Sequence, residues 1–319
     1  MKKLPQLYPV ELAAPNIAPY KEGNTGIDFV HRFDSGARGP HVLVTALVHG
    51  NEICGAIALD WLFKQKFRPA KGVLTLAFCN VVAYQHFDPK APGDSRFMDE
   101  DFNRVWSPER LGGKGNSVEL RRARELVPVV EAADLLLDIH SMQHKTPALT
   151  ISGPLEKGRR LARDIAFPAL VVSDEGHAGG RRMRDYGPFG DPEKPQNALL
   201  VECGQHWERP SEAVAKETLV RFLAYAGIAD AAWLKRHLPK KRPAPQRLIE
   251  VTHAVTIKTP DFRFAADYRG LEVIPKKGSV LAHDGAEPVK TPYDGCVLIM
   301  PSRRLQPGQT AVRLGRYLD

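Results

Sequence analysis

The stretch "VTALVHGNEICG", residues 44–55, changes character halfway along its length. It starts inside an apolar run that begins at Val42, as a buried strand does, and then reaches His49-Gly50-Asn51-Glu52 before a helical pattern begins. An imidazole and a carboxylate three residues apart at a strand end fit two interpretations. One is a polar turn with a helix cap, and the other is a pair of metal ligands. The rest of the sequence has to decide between them.

Several further apolar runs have the nearly continuous hydrophobicity of strands covered on both faces. These runs and the first one predict central strands at residues 41–48, 73–79, 135–139, 169–173 and 198–202. Helical patterns alternate with them at 55–67, 117–133 and 157–166, and a closing helix is predicted at 211–228 with Ser211 as its cap. This alternation predicts an α/β sheet with helices on both faces.

The C-terminal part has a different pattern of predicted secondary structure. Residues 247–319 contain short β-like runs and turn signals such as "PKKG" at 275–278 and "YDG" at 293–295, and they contain no long helical pattern. We therefore predict a larger α/β domain at residues 1–240 and a small β domain at residues 241–319. The basic run "KRHLPKKRP" at 235–243 has no interleaved aromatic residues, which favours a solvated linker between them.

The composition is that of an ordinary soluble protein, with 319 residues, 43% hydrophobic and 26% charged. The net charge of +8 would suit acidic small molecules as ligands. Because the basic residues are dispersed along the chain, we expect neither a nucleic-acid nor a membrane partner. No apolar run approaches the ~20 residues of a membrane span, and no signal peptide is expected. Four scattered cysteines without a CxxC pair predict free thiols and a cytoplasmic location.

Polar residues end three of the predicted strands. His49 follows the first strand, His140 ends "LLLDIH", and Glu202 ends "ALLVE". Ligands of open α/β sheets bind outside the carboxyl ends of the strands, and catalytic zinc takes three protein ligands and keeps one position for water. Each residue alone is more simply explained, Glu52 for example as a first-turn dipole partner. Together, His49, Glu52 and His140 are interpreted as zinc ligands, which leaves Glu202 free to act as a base.

The segment "SRFMDEDFNRVW" at 95–106 adds Arg96, Asn103 and Arg104. A charged surface loop is the simpler interpretation of this segment. However, an asparagine amide beside a planar guanidinium with five donors would bind a substrate carboxylate well.

The motifs "HGNE", "DEDFNRVW", "DIH" and "VECG", in this order, resemble those of the succinylglutamate desuccinylase/aspartoacylase family, a branch of the zinc carboxypeptidase-like fold. The resemblance covers residues 40–225, and a β-rich C-terminal domain is also a feature of the family. It implies a mixed, mostly parallel central sheet and one zinc ion per chain. It also implies a hydrolase that cleaves the amide bond of a small N-acylated amino acid.

The resemblance assigns the same zinc ligands, His49, Glu52 and His140. It makes Glu202 the general base, and it gives Arg96 the role of polarising the scissile carbonyl. Asp138 precedes His140 by two residues and therefore shares its face of the strand. It would serve either as an outer partner of the His140 ring or as an ordinary buried hydrogen-bonding carboxylate.

For substrate binding, the resemblance assigns the carboxylate of the substrate to Asn103 and Arg104. The family places one further arginine before the catalytic glutamate, and here "GGRRMRDYG" at 179–187 offers three, Arg181, Arg182 and Arg184. An aromatic residue of the C-terminal domain also belongs to the family pattern, and Tyr293 is the candidate.

Three functions remain open at this point. A zinc-dependent N-acyl-amino-acid deacylase is favoured. A zinc carboxypeptidase that acts on peptides would use the same residues. A zinc-containing binding protein without catalysis is disfavoured because all three ligands and Glu202 are present. Homo-oligomerisation is left open.

Overall fold

The computed structural model describes residues 7–176 and 179–318. The strands within these residues are β1 (Val30–Asp34), β2 (His41–Ala46), β3 (Val73–Phe78), β4 (Leu135–Met142), β5 (Leu149–Ile151), β6 (Leu170–Ser173), β7 (Asn197–Gln205), β8 (Arg247–Thr256), β9 (Phe262–Phe264), β10 (Val273–Ile274), β11 (Val280–Asp284), β12 (Glu287–Lys290), β13 (Cys296–Ile299) and β14 (Thr310–Tyr317). The α-helices are α1 (Ile53–Lys64), α2 (Val81–Gln85), α3 (Pro108–Leu111), α4 (Val118–Glu131), α5 (Glu156–Ile165), α6 (Arg209–Tyr225) and α7 (Ala231–His237).

The predicted α/β class is confirmed. One 11-stranded sheet has the order β1-β3-β2-β4-β7-β5-β6-β8-β14-β13-β10. Its central strands β3, β2, β4 and β7 are all parallel, whereas β5 pairs with β7 in the antiparallel sense. A separate three-stranded sheet has the order β12-β11-β9.

Helices cover both faces of the sheet because successive side chains of a strand point to opposite sides. In β2, Val42 and Val44 pack into the apolar cluster that contains residues of α1 and α6, whereas Leu43 packs with residues of α4 on the other face. This double burial explains the continuous apolar run that the sequence shows at this strand.

The closing helix starts earlier than predicted. It begins at Arg209, and Ser211 is not its cap, because the Ser211 hydroxyl donates to the carbonyl oxygen of Glu208 at 2.8 Å. Pro210 lies in the first turn, where its missing N–H removes no helical hydrogen bond. The prediction of Ser211 as the cap was therefore wrong.

The C-terminal region is joined to the main sheet. Strand β8 pairs with β6 in the parallel sense, from Arg247 opposite Leu170 to Glu250 opposite Ser173. The basic run at 235–243 forms the end of α7 and the irregular segment that follows it. Hydrogen bonds thus connect the two predicted domains into one sheet, and the independence of residues 241–319 as a folding unit stays a prediction. Among the helices of the described residues, none is long and apolar enough to cross a membrane.

Candidate active site

The structure brings the three polar strand ends together at one edge of the sheet. Strands β2, β4 and β7 are direct neighbours, and their register places His140 opposite Glu202. His49 lies in the loop that follows β2, and Glu52 immediately precedes α1. The parallel direction of the three strands is the reason that residues far apart in the sequence meet here.

Gly50 fixes the loop that carries His49. A Cβ atom at Gly50 would lie 2.4 Å from the nitrogen of Tyr84 and 2.5 Å from the oxygen of Ser95. Its N–H donates to the carbonyl oxygen of Arg96 at 3.0 Å. Only glycine fits this contact, and the contact ties the His49 turn to the loop that carries Arg96.

His49, Glu52 and His140 form a compact buried cluster. Nδ1 of His49 is 2.8 Å from Oε1 of Glu52, and Nδ1 of His140 is 3.0 Å from Oε2 of the same carboxylate. One potential ligand atom from each residue lies within 4.8 Å of the other two. Tetrahedral zinc with bonds of about 2.0–2.2 Å needs ligand atoms roughly 3.5 Å apart. Small side-chain movements therefore suffice to hold an ion.

The outer partners of the two imidazoles favour a cation in this cluster. Nε2 of His140 is 2.8 Å from Oδ2 of Asp138, and Nε2 of His49 is 2.9 Å from Oδ1 of Asp101. Carboxylates at these positions accept the Nε2 protons, so the Nδ1 lone pairs face Glu52. Burial lowers the pKa of His140, but the charges of Asp138 and Glu52 raise it well above its usual value. The donor set thus attracts positive charge, which fits a metal ion.

Asp138 makes the outer contact that its position in the strand suggested. It is fully buried, and its second oxygen accepts a hydrogen bond from the hydroxyl of Thr45 at 2.7 Å. The two interpretations of Asp138 therefore coincide, because a buried hydrogen-bonded carboxylate is also the group that orients the His140 ring.

Arg96 lies directly beside the cluster. Its Nη1 donates to Oε1 of Glu52 at 3.0 Å, and its Nη2 lies 3.2 Å from Oδ2 of Asp101 and 2.9 Å from Nε2 of His49. A guanidinium in this position can face negative charge that develops next to the metal ligands. Asp101 was missed by the sequence analysis, although it is one of the acidic residues of "DEDFNR".

Glu202 is buried and incompletely paired. Its Oε2 has no hydrogen-bond partner among the described residues. Burial, together with the charge of Glu52, raises the pKa of Glu202 to about 8. A carboxyl group with a raised pKa that lines a cleft beside the His49–Glu52–His140 cluster has the properties of a general acid–base residue.

Asn103 and Arg104 lie in a short 3₁₀ helix, Phe102–Arg104. Oδ1 of Asn103 accepts the N–H of Met183 at 2.9 Å, which leaves the amide nitrogen as the donor that the side chain can offer. Arg104 donates to the carbonyl oxygen of Asn103 at 2.7 Å. Within residues 7–176 and 179–318, no carboxylate forms a salt bridge with Arg104, although both residues line the cleft.

A buried carboxylate that the sequence analysis missed holds this loop in place. Glu119 of α4 accepts the N–H groups of Met98 at 2.7 Å, Asp99 at 3.1 Å and Glu100 at 3.2 Å. An acidic residue in the first turn of a predicted helix was the available signal, but only the fold shows which N–H groups it binds.

Of the three arginines at 181–184, Arg182 lines the same cleft as the cluster. It is already paired, because its Nη2 lies 2.7 Å from Asp174 and its Nε lies 2.5 Å from Asp185. Arg184 is buried and donates to the main-chain oxygens of Ser152 and Ala198, and Arg181 is exposed.

Tyr293 does not line the cleft, and its hydroxyl lies 2.6 Å from the hydroxyl of Thr252 in β8.

His206, which the sequence did not single out, lines the cleft. His206 is buried, its Nδ1 lies 2.8 Å from the hydroxyl of Ser141, and its Nε2 has no partner in the described part of the chain. Burial lowers the pKa of His206 to about 3, so the ring is neutral near pH 7.

The cleft has a volume of about 550 Å³ and combines both parts of the chain. The His49–Glu52–His140 cluster and Glu202 form its floor, and residues of the segment between β13 and β14 form one wall. A pocket of this size accommodates a small molecule. The mostly parallel sheet, with a polar cluster at the carboxyl ends of its strands, agrees with the zinc carboxypeptidase-like fold that the sequence predicts.

Comparison with known proteins identifies the family. The succinylglutamate desuccinylase/aspartoacylase catalytic domain matches residues 38–221, and the chain belongs to this family, whose members are deacylases that hydrolyse C–N bonds. A probable aspartoacylase of Parasynechococcus marenigrum is 35% identical over 136 residues, which are 41% of each protein. A succinylglutamate desuccinylase of Shewanella woodyi is 23% identical over 300 residues, covering 86% of this chain and 82% of that protein.

The fold agrees with solved structures of the family. The succinylglutamate desuccinylase of Vibrio cholerae superposes with a TM-score of 0.66 at 17% identity and covers 91% of this chain and 85% of its own. The confirmed parts are therefore the fold and the family, whereas the roles of individual residues and the metal stay predictions.

Proposed function

We propose that the protein is a zinc-dependent deacylase that hydrolyses the amide bond of a small N-acyl amino acid. The observation that carries this proposal is the buried His49–Glu52–His140 cluster, with an unpaired oxygen of Glu202 in the same cleft. Membership of the deacylase family supports the reaction class. Arg104 lines this cleft and forms no salt bridge with a carboxylate of the described residues, which supports a substrate that carries an acid group.

The residues of the cluster would hold zinc through Nδ1 of His49, Nδ1 of His140 and the carboxylate of Glu52. When bound, zinc supplies a Lewis acid and lowers the pKa of a water molecule to about 7. Asp138 and Asp101 keep the two imidazoles in the tautomer that such binding requires.

The protein's own groups carry the proton transfers. Glu202 takes a proton from the attacking water and returns one to the leaving amine. The raised pKa of Glu202 makes its carboxylate basic enough to accept the first proton. A cation nearby would lower that pKa towards the pH of the solution, about 7. Arg96 stabilises the charge that develops on the carbonyl oxygen, and Asn103 with Arg104 binds the carboxylate of the amino acid.

The test is hydrolysis of a panel of N-acyl amino acids and short peptides, with the zinc content measured on the same preparation. We expect turnover of N-acyl amino acids by protein that holds about one zinc per chain, and loss of that turnover after chelation. Preference for peptides would replace the deacylase by a carboxypeptidase. Binding of zinc without turnover of any substrate would contradict both enzymes.

A further inference from the structure

His206 is a buried polar residue of the cleft that the proposed function does not use. It lines the cleft together with the His49–Glu52–His140 cluster, and it is only 3% exposed. Nδ1 of its ring is 2.8 Å from the hydroxyl of Ser141, whereas Nε2 has no hydrogen-bond partner in residues 7–176 and 179–318. Because a buried polar atom without a partner costs free energy, a substrate in the cleft would gain by contacting Nε2.

The main chain fixes the position of this ring. His206 lies in the bend that follows β7, and its N–H donates to the carbonyl oxygen of Met142, at the end of β4, at 2.9 Å. The next residue, Trp207, donates from Nε1 to the carbonyl oxygen of Asn51 at 3.1 Å. The bend is therefore tied both to β4 and to the turn that precedes α1.

Ser141 connects the ring to the His49–Glu52–His140 cluster. The N–H of Ser141 donates to Oε2 of Glu52 at 3.0 Å, and its hydroxyl contacts the His206 ring. Burial lowers the pKa of His206, the charge of Glu52 raises that pKa, and the charge of Arg96 lowers it. The ring is therefore close enough to feel Arg96, the residue that the proposed function assigns to the scissile carbonyl.

The Ser141 hydroxyl determines which nitrogen of the neutral ring carries the proton. Among the described residues, this hydroxyl has no acceptor other than Nδ1 of His206. A hydroxyl is both a donor and an acceptor, but a buried O–H that donates to nothing is unfavourable. The hydroxyl therefore donates to Nδ1, and the ring proton is on Nε2. His206 thus presents an uncharged N–H donor to the cleft.

An uncharged donor at this position suits an oxygen that becomes negative during the reaction. Donors aimed at such an oxygen stabilise the transition state more than the substrate. A neutral imidazole can polarise a carbonyl in this way. The proposed function already assigns the amino-acid carboxylate to Asn103 and Arg104. The scissile carbonyl oxygen, beside Arg96, is then the acceptor that remains for His206.

We propose that the Nε2–H group of His206 donates a hydrogen bond to the carbonyl oxygen of the scissile amide and, together with Arg96, stabilises the negative charge that develops there. This inference rests on the proposed function and adds a catalytic residue to it. No covalent bond to His206 forms or breaks, and the ring keeps its proton throughout. Ser141 acts only through the ring and is a positioning residue.

The experiment compares the zinc-loaded wild-type chain with His206→Leu and His206→Gln on the N-acyl amino acid that is hydrolysed fastest. His206→Leu should lower kcat by about 100-fold and leave KM nearly unchanged, because the contact strengthens only in the transition state. His206→Gln should recover part of the loss, since its side-chain amide offers an N–H donor. Zinc content and the thermal unfolding temperature should stay at wild-type values. The control is His253→Leu, at an exposed position in β8, which should change none of these quantities.

The position of the ring proton is tested by nitrogen-15 NMR of protein with labelled histidine. The ring resonances that disappear in His206→Gln identify His206, and we expect its Nε2 to be protonated and its Nδ1 to be unprotonated. Ser141→Ala removes the hydroxyl that orients the ring, so it should shift these resonances and lower kcat by less than His206→Leu does.

Four outcomes overturn the inference. A higher KM with an unchanged kcat in His206→Leu would mean that the ring binds substrate and transition state equally. Equal losses of kcat in His206→Leu and His206→Gln would show that an N–H donor is not what the site needs. A proton on Nδ1 would leave Nε2 with no hydrogen to donate. Loss of zinc or of the fold in both variants would make His206 a structural residue.

The comparison remains decisive if His206→Leu alone fails to fold. In that case a lower kcat of His206→Gln at constant KM supports the contact, and a wild-type kcat overturns it.

Failure of the proposed function gives a different result. In that case the wild-type chain hydrolyses no N-acyl amino acid. Calorimetric titration of the zinc-loaded protein then uses the phosphinate analogue of N-acetyl-L-alanine, in which a tetrahedral phosphorus with two oxygens replaces the carbonyl carbon. Binding that His206→Leu weakens by about 10-fold or more supports the contact. Equal binding by the two proteins, or no binding by the wild-type chain, overturns it.

Discussion

The floor and the C-terminal wall of the cleft are built in different ways. On the floor, His49 follows one of the parallel strands, His140 and Glu202 lie within two others, and Asp138 is a buried partner of His140. On the wall, Arg304 lies on an irregular segment held by a few polar contacts, including one to Gly93. Chemistry that needs fixed distances is placed on rigid elements, whereas groups that choose among substrates are placed on loops.

The largest effect is expected from removal of the predicted metal ligands on the floor of the cleft. His49→Ala or His140→Ala should lose most of the zinc and reduce kcat by at least about 1,000-fold, because each removes a ligand from a three-ligand site. Zinc content per chain and turnover are the measurements. His253→Ala, at an exposed position in β8, is the matched control. Full zinc occupancy in both ligand variants would show that the ligands are elsewhere.

Glu202→Gln separates metal binding from proton transfer on the same floor. The variant should keep its zinc and its fold but lose at least about 100-fold in kcat, since the amide cannot accept a proton. Metal analysis, thermal unfolding and steady-state kinetics on one preparation check this. Near-normal turnover would mean that another group is the base.

Asp138→Asn tests how much the buried hydrogen-bond partner of His140 contributes to zinc affinity. The amide keeps the size of the side chain but offers the His140 ring a neutral partner, so zinc affinity should fall by about 10- to 100-fold. Competition with a zinc chelator measures this, and Thr45→Val, which removes only the hydrogen bond from Thr45, should have a smaller effect. An unchanged zinc affinity would leave Asp138 with a packing role alone.

Arg104→Lys, which changes a side chain that lines the cleft, should produce the smallest effect. The charge remains but the two-pronged geometry is lost, so kcat/KM on an N-acyl amino acid should fall by about 10-fold. The corresponding amino-acid amide, which lacks the carboxylate, should be affected far less. Kinetics of both proteins with both compounds form the measurement. An equal loss on the two compounds would assign Arg104 a structural role in its loop.

Much of the floor could be predicted from the sequence because its residues lie next to the strands that position them. The run from Val42 to Val48 and the alternation of strands and helices were enough to place His49 and Glu52 at the edge of the sheet. Strand β5 was missed because it has only three residues. Strand β1, at the edge of the sheet, mixes charged and apolar residues, and such a pattern also occurs in loops.

The wall could not be predicted, because its residues gain their roles through contacts with distant parts of the chain. Arg182 and Arg304 look alike in the sequence, but Arg182 forms a buried ion pair with Asp174, whereas Arg304 forms no salt bridge within the described part of the chain. Asp101 and Glu119 likewise become important only where the loop at 95–106 folds onto the cluster. The sequence alone does not show which charged side chains remain without an ion-pair partner after the chain folds.

The continuity of the sheet between β6 and β8 has a consequence for how such an enzyme can change. Strands β13 and β14 belong to the same sheet as the strands that carry the His49–Glu52–His140 cluster, so the segment between them is a short connection between two fixed strands. Replacing residues 300–309 would alter one wall of the cleft without disturbing any main-chain pairing near His140. Exchange of this one connection is therefore expected to change which molecules fit the cleft, while the His49–Glu52–His140 cluster stays as it is.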